Sequence, residues 1–151
     1  MWRMFGGNGF GYDAPGAGLA TTGVGTLCLQ FMGHGQDPRI QKSLDFMHQQ
    51  KVDWEKTEGG FLLYAWYYIT QAMFQGGGSN WDYWNRQIRD TVVKNQFEDG
   101  HWMPPPKSGE TKSVAEPVYA TTLCVLILEV YYRYLPIYTL MEGAGAGPAG
   151  K

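Results

Sequence analysis

The sequence predicts an all-α protein built of helical-hairpin repeats. Three observations carry that expectation. Five segments have helical length and spacing, they alternate between wholly apolar and two-faced, and the repeating units open on glycine-aromatic elements. At 151 residues the chain has the size of one ordinary domain, which buries roughly 70% of its unfolded surface on folding.

Residues 18–32, "GLATTGVGTLCLQFM", form the first segment and end at Gly33 and Gly35. The second opens on Asp37 as N-cap with Pro38 at the first helical position, where a missing N–H does no harm. Its Ile40, Leu44 and Met47 recur at i, i+4, i+7, so one face is wet through residue 50. Residues 61–74, "FLLYAWYYITQAMF", are apolar on nearly every face, the mark of a helix that is buried or faces a cavity. The fourth segment starts near Ser79 and Asn80 and runs to Gln96. Trp84, Ile88 and Val92 line one side, while Arg86, Arg89, Asp90 and Lys94 line the other. Residues 117–136 form the fifth, again apolar almost throughout. Strand is the competing assignment for such β-branched and aromatic runs, but these are too long for ordinary strands. Residues 137–151 form a Gly/Ala-rich tail after a domain spanning residues 1–136.

The glycine-aromatic elements are "GGNGFGY" from Gly6, "EGGF" from Glu58 and "DGHW" from Asp99; each amphipathic segment closes on an amide, Gln49-Gln50 or Asn95-Gln96. A helix end leaves carbonyls unpaired and the next helix start leaves N–H groups unpaired. Gln96 supplies a carboxamide for such groups, Gly100 allows a backbone that a Cβ tolerates poorly, and Trp102 is expected to cover the glutamine. The motif reads as a structural staple between hairpins.

Several function classes are excluded by composition. A net charge of −2 without charge runs gives no footprint for nucleic acid. The N-terminus lacks the basic-then-apolar pattern of a signal peptide, and the longest uncharged apolar run, residues 118–128, is too short to span a bilayer. The chain reads as soluble, and as cytoplasmic if complete. Cys28 and Cys124 lie in apolar runs and read as buried reduced thiols.

"VVKNQFEDGHW" resembles the QW repeat, Q-x(3)-G-x-W after a helix end, of squalene and hopene cyclases. Together with "GGFGY"-type elements, the amide-terminated segments and "VYATTLCVLILEVYYRYLP", it marks a resemblance to the terpenoid cyclase and protein prenyltransferase superfamily over residues 6–136. The full spacing occurs once; the junction from Gln50 to Gly60-Phe61 is longer and has Phe for Trp. The resemblance implies part of an (α/α) toroid, with the apolar helices inside and the amphipathic ones outside. A complete toroid of this kind has about six hairpins, so the resemblance implies a fragment, a reduced arc, or one part of an oligomer. Another copy of the chain, or missing upstream hairpins, is the implied partner.

The chemistry of that superfamily is not evident in the motifs. No D-x-D-D or D-D-x-x-D sequence occurs, and both cysteines stand in "TLC", without the acid two residues earlier that zinc-binding relatives carry. His34, His48 and His101 are scattered, and Cys-Gly-Glu-Gln is absent. No catalytic residue, metal ligand or cofactor is therefore expected from this chain. The remaining signal is aromatic: Trp66, Tyr67, Tyr119 and Tyr131 are candidates to line a cavity, against the plainer alternative that they are core. Glu129 and Arg133 read as an intrahelical pair, and residues 103–113, "MPPPKSGETKS", as a solvated loop or a lid. Two functions are expected. One is a repeat domain, not catalytic on its own, with a structural, partner-binding or apolar-ligand-binding role. The alternative is part of a cyclase- or prenyltransferase-like enzyme whose catalytic residues lie upstream or on another chain.

Overall fold

A computed structural model describes residues 1–109 and 116–132. The tail at 137–151, residues 133–136 of the fifth segment (Tyr134 and the Arg133 partner of Glu129 among them) and residues 110–113 of the proline-rich loop lie outside the described residues; within them the fifth helix stops at Leu128, short of the expected run, and Glu129 forms a turn. The described chain is mostly helical. A short turn at Trp2–Met4 leads into the hairpin of β1 (Phe5–Gly6) and β2 (Gly9–Phe10). Five helices follow: α1 (Leu19–Leu29), α2 (Pro38–His48), α3 (Leu62–Gly76), α4 (Gly78–Lys94) and α5 (Glu116–Leu128).

The hairpin is the one element the sequence pattern did not announce. Two residues per strand are too few to show alternation, but Gly7 at φ +64° supplies the left-handed backbone that a tight turn needs. The hairpin stays put because α1 holds it. Phe10 N–H donates to Thr22 Oγ1 (3.0 Å), and Thr21 Oγ1 donates to the Phe10 carbonyl (2.5 Å).

In α1, glycine serves close approach. A Cβ on Gly23 would sit 3.0 Å from the Ile69 nitrogen of α3, and one on Gly25 would sit 2.6 Å from the Phe10 ring. Each glycine costs about 1 kcal/mol of helix propensity, offset by the contact its missing side chain permits. Gly33, at φ +83°, ends the wide turn that follows α1, close to where the sequence placed the end.

The start of α2 is as expected. Asp37 Oδ1 accepts from Arg39 N–H (2.9 Å), and Pro38 follows the cap. Helix α3 runs through the centre, packed against α1, α4 and α5. Gly77, at φ +61°, turns the chain back into α4. Across that corner Trp81 meets Phe74, and the Trp84 indole donates to Thr70 Oγ1 (2.9 Å), so α4 runs antiparallel to α3. Trp66, Trp84, Ile69 and Ile88 are fully buried at the heart of the core.

The junction after α4 differs from expectation in one respect. Trp102 does not cover Gln96, which is exposed; it passes beneath the end of α4, 3% exposed, and its indole donates to the Val92 carbonyl (2.8 Å). Its backbone N–H donates to Thr121 Oγ1 on α5 (3.0 Å). Gln96 instead donates to the Gly100 carbonyl (2.9 Å), closing a turn in which Gly100 sits at φ +91°. The tryptophan therefore ties α4 to α5, while the amide and glycine shape the loop on the solvent side. At the earlier junction the buried aromatic is Trp54, 5.8 Å from Trp66, and not Phe61, which is 63% exposed.

The proline-rich loop is a strap rather than a solvated loop over its described part. Pro104, Pro105 and Ser108 are buried. Ser108 Oγ accepts from Leu62 N–H (3.5 Å), Gly109 N–H donates to the Gly59 carbonyl (2.9 Å), and Lys107 pairs with Glu58 (2.8 Å). The strap thus covers the first turn of α3, where backbone N–H groups lack intrahelical partners.

Candidate functional site

An open apolar cavity of about 850 Å³ lies where α1, α3 and α5 meet the N-terminal hairpin. Each wall follows from the packing described above. The turn and hairpin bring Met1, Met4, Phe10 and Tyr12; α1 contributes Ala20, Thr21 and Val24. Phe61 and Tyr64 come from the start of α3, and Tyr119 from the start of α5. The wall is fixed where the Thr21 and Thr22 hydroxyls hold β2 against α1, and the strap holds the turn that carries Phe61.

No Asp, Glu, Lys or Arg side chain lines this cavity among the described residues. Arg39 makes a two-pronged ion pair with Asp37 (2.9 and 2.7 Å) and stacks over the Trp2 ring at 3.6 Å; Lys107 pairs with Glu58. Tyrosine hydroxyls supply polarity. Tyr64 and Tyr68 pack at 4.7 Å between ring centroids, and Tyr67 meets Tyr68 edge-on at 4.9 Å. Burial, then a hydrogen bond to Tyr64, pushes the Tyr68 phenol up to about 12, so it stays protonated across the physiological range.

Of the residues the sequence singled out, Tyr119 lies on the cavity wall. Trp66 points the other way, into the core against Trp54, because two residues along a helix turn a side chain by about 200° from Tyr64. Tyr67 is half-buried behind the wall beside Tyr68. Tyr131 faces α4, where it packs on Trp81 at 5.6 Å and hydrogen-bonds Asn85. Gln96, Gly100 and Trp102 form the structural junction, remote in chemistry from the cavity. The other lining residues were missed, and among them Tyr64 and Phe61 had a readable signal. Their signal is the stripe 61, 64, 68 along α3, which lies opposite the core stripe 62, 66, 69, 73.

Other features bear on chemistry. No group of three His, Cys, Asp or Glu side chains able to hold a metal occurs among the described residues. Cys28 and Cys124 are free thiols, half-buried and buried. Asp99 and His101 pair at 2.5 Å on the surface, with Phe97 stacked on the imidazole at 4.6 Å; the carboxyl is lowered chiefly by that hydrogen bond. No helix among the described residues is long and apolar enough to cross a membrane. In comparisons with protein-family models, curated proteins and solved structures, the chain matches none.

Proposed function

We propose that this chain is a squalene-cyclase- and prenyltransferase-like helical domain that binds an apolar ligand and is not catalytic on its own. The observation that carries the reading is the cavity: about 850 Å³, within the range of small-molecule sites, walled by Met4, Phe10, Val24, Phe61, Tyr64 and Tyr119. In this reading α1, α3 and α5 are the inner helices of an (α/α) arc, and α2 and α4 the outer ones. The reading is supported by the sharing of polarity. The amphipathic helices α2 and α4 present polar side chains to solvent, while the cavity wall draws on α1, α3 and α5.

Titration with N-phenyl-1-naphthylamine, a neutral dye that brightens in apolar sites, tests this. Saturable binding of one dye per chain is expected. Filling the cavity with Val24→Phe should weaken it at least tenfold, with the fold checked by circular dichroism. Unsaturable binding, or binding indifferent to Val24→Phe and equally to Ala20→Phe, would sink the reading. The alternative is part of an enzyme whose acid or metal ligands come from upstream or from another chain. The tyrosine rings at the cavity favour it, since aromatic faces stabilise cations.

A further inference from the structure

We infer that the ligand of this cavity is a long-chain carboxylate, with its tail in the cavity and its anionic head held at the mouth by Arg3. The inference rests on the apolar-ligand reading above and narrows it to a chemical class. Its first ground is where a charge can sit. No Asp, Glu, Lys or Arg side chain lines the cavity among the described residues, so a charged group drawn inside would lose its water and gain no partner. A charged head therefore stays at the mouth, and the charges it meets there decide its sign.

The second ground is the N-terminal turn. Met1 and Met4 both line the cavity, one tight turn apart, which places them on the same side of that turn. Trp2 packs inward, 6.1 Å from Phe10 and beneath Arg39. Arg3 is left exposed between two lining residues, with no hydrogen bond or ion pair among the described residues. An arginine lays its methylene stem along apolar surface and keeps its guanidinium in water. Beside the two methionines that stem reaches the rim, where the permanently charged fork matches a carboxylate.

The other charges around the mouth weigh less. Lys107 and Glu58 offset each other, as do Arg39 and Asp37. Glu116 at the start of α5 is already engaged, and α1 carries no charged residue. Asp13 is the exception. It is exposed, it follows the lining residue Tyr12, and it opposes an anion. Its short side chain keeps that charge near the backbone, and only one of its neighbours lines the wall, whereas Arg3 has the wall on both sides.

The test displaces N-phenyl-1-naphthylamine with dodecanoate and with dodecan-1-ol, an uncharged control of equal chain length, at pH 9 and low salt. That pH keeps the acid charged and leaves an ordinary α-amine largely neutral, so Arg3 is read without the amine of Met1. Arg3→Gln is expected to weaken dodecanoate about two- to fivefold, the size of an exposed ion pair, and to leave dodecan-1-ol unchanged. High salt should erase the difference between variant and parent. Asp13→Asn should act the opposite way and tighten dodecanoate alone; a loss there would overturn the sign assigned to the mouth. Equal dodecanoate affinity in the parent and Arg3→Gln would overturn the inference, while dye and alcohol binding would keep the apolar-cavity reading intact. Equal weakening of acid and alcohol would overturn it as well, because a displaced turn rather than a lost charge would then be responsible. Failure of the dye and both ligands to bind would overturn the cavity reading and this inference with it.

Discussion

At the scale of single residues, the clearest tension is Gln71. It is 1% exposed on α3, and neither its carboxamide oxygen nor its nitrogen has a hydrogen-bond partner among the described residues. A buried amide without partners costs more than an apolar side chain of similar length. Gln71→Leu is therefore expected to raise the unfolding free energy by about 1–3 kcal/mol, read as a higher urea midpoint at an unchanged slope. A lower midpoint would mean that the amide finds a partner in solution. Asp37 supplies a pH effect of definite sign. Hydrogen bonds from Arg39 push its carboxyl down to about 2 from an ordinary 3.8. Since the folded value is the lower, its contribution is fully present above pH 3.8 and is lost as pH falls toward 2. Asp37→Asn should thus remove part of the loss of stability between those pH values, measured as the difference in thermal midpoint between the two proteins. An unchanged difference across the window would contradict the assignment.

At the scale of elements, side-chain bonds to backbone groups do much of the joining. Trp102 satisfies a carbonyl at the end of α4 and donates its own N–H to a hydroxyl of α5, so one residue ties the two helices together. The strap does the same for α3 through Ser108 and Gly109. A Cβ on Gly109 would stand 2.4 Å from the Gly60 carbonyl oxygen, so Gly109→Ala is expected to lift the strap. Hydrogen exchange would report it: the Gly109 and Leu62 amides should exchange at least tenfold faster, while those of α4 stay protected. Equal rates in the variant and the parent would show that the strap contributes no closure. Because Phe61 stands on the turn beneath, the same variant should also loosen the cavity mouth.

At the scale of the whole molecule, the helices pack around α3 and leave apolar side chains facing outward: Phe61, Tyr64 and Tyr119 at the cavity, Val118 and Val125 along α5, and Tyr132 just past it. Occupying the cavity should therefore stabilise the fold by mass action. An apolar ligand at about 100 times its dissociation constant contributes about 2.7 kcal/mol, or about 5–10 °C in a chain of this size. Thermal melts followed by circular dichroism with N-phenyl-1-naphthylamine check this, and no shift at saturation would exclude binding to the folded state. The sequence by itself determined the five helical segments and the start of α2, because local rules govern them. Asp37-Pro38 starts one helix, Gly33 closes another, and a period near four residues separates wet faces from dry ones. It also located the junction of Gln96, Gly100 and Trp102, since spacing along the chain is all that such a motif requires. Tertiary structure alone decided which aromatic faces what. Trp66, Tyr64 and Tyr67 look alike in a helix apolar all round, and only the positions of α1 and α5 send Trp66 to the core and Tyr64 to the cavity. The same holds for the strap: the Ser108 bond to Leu62 spans 46 residues of chain, a contact that no local pattern encodes.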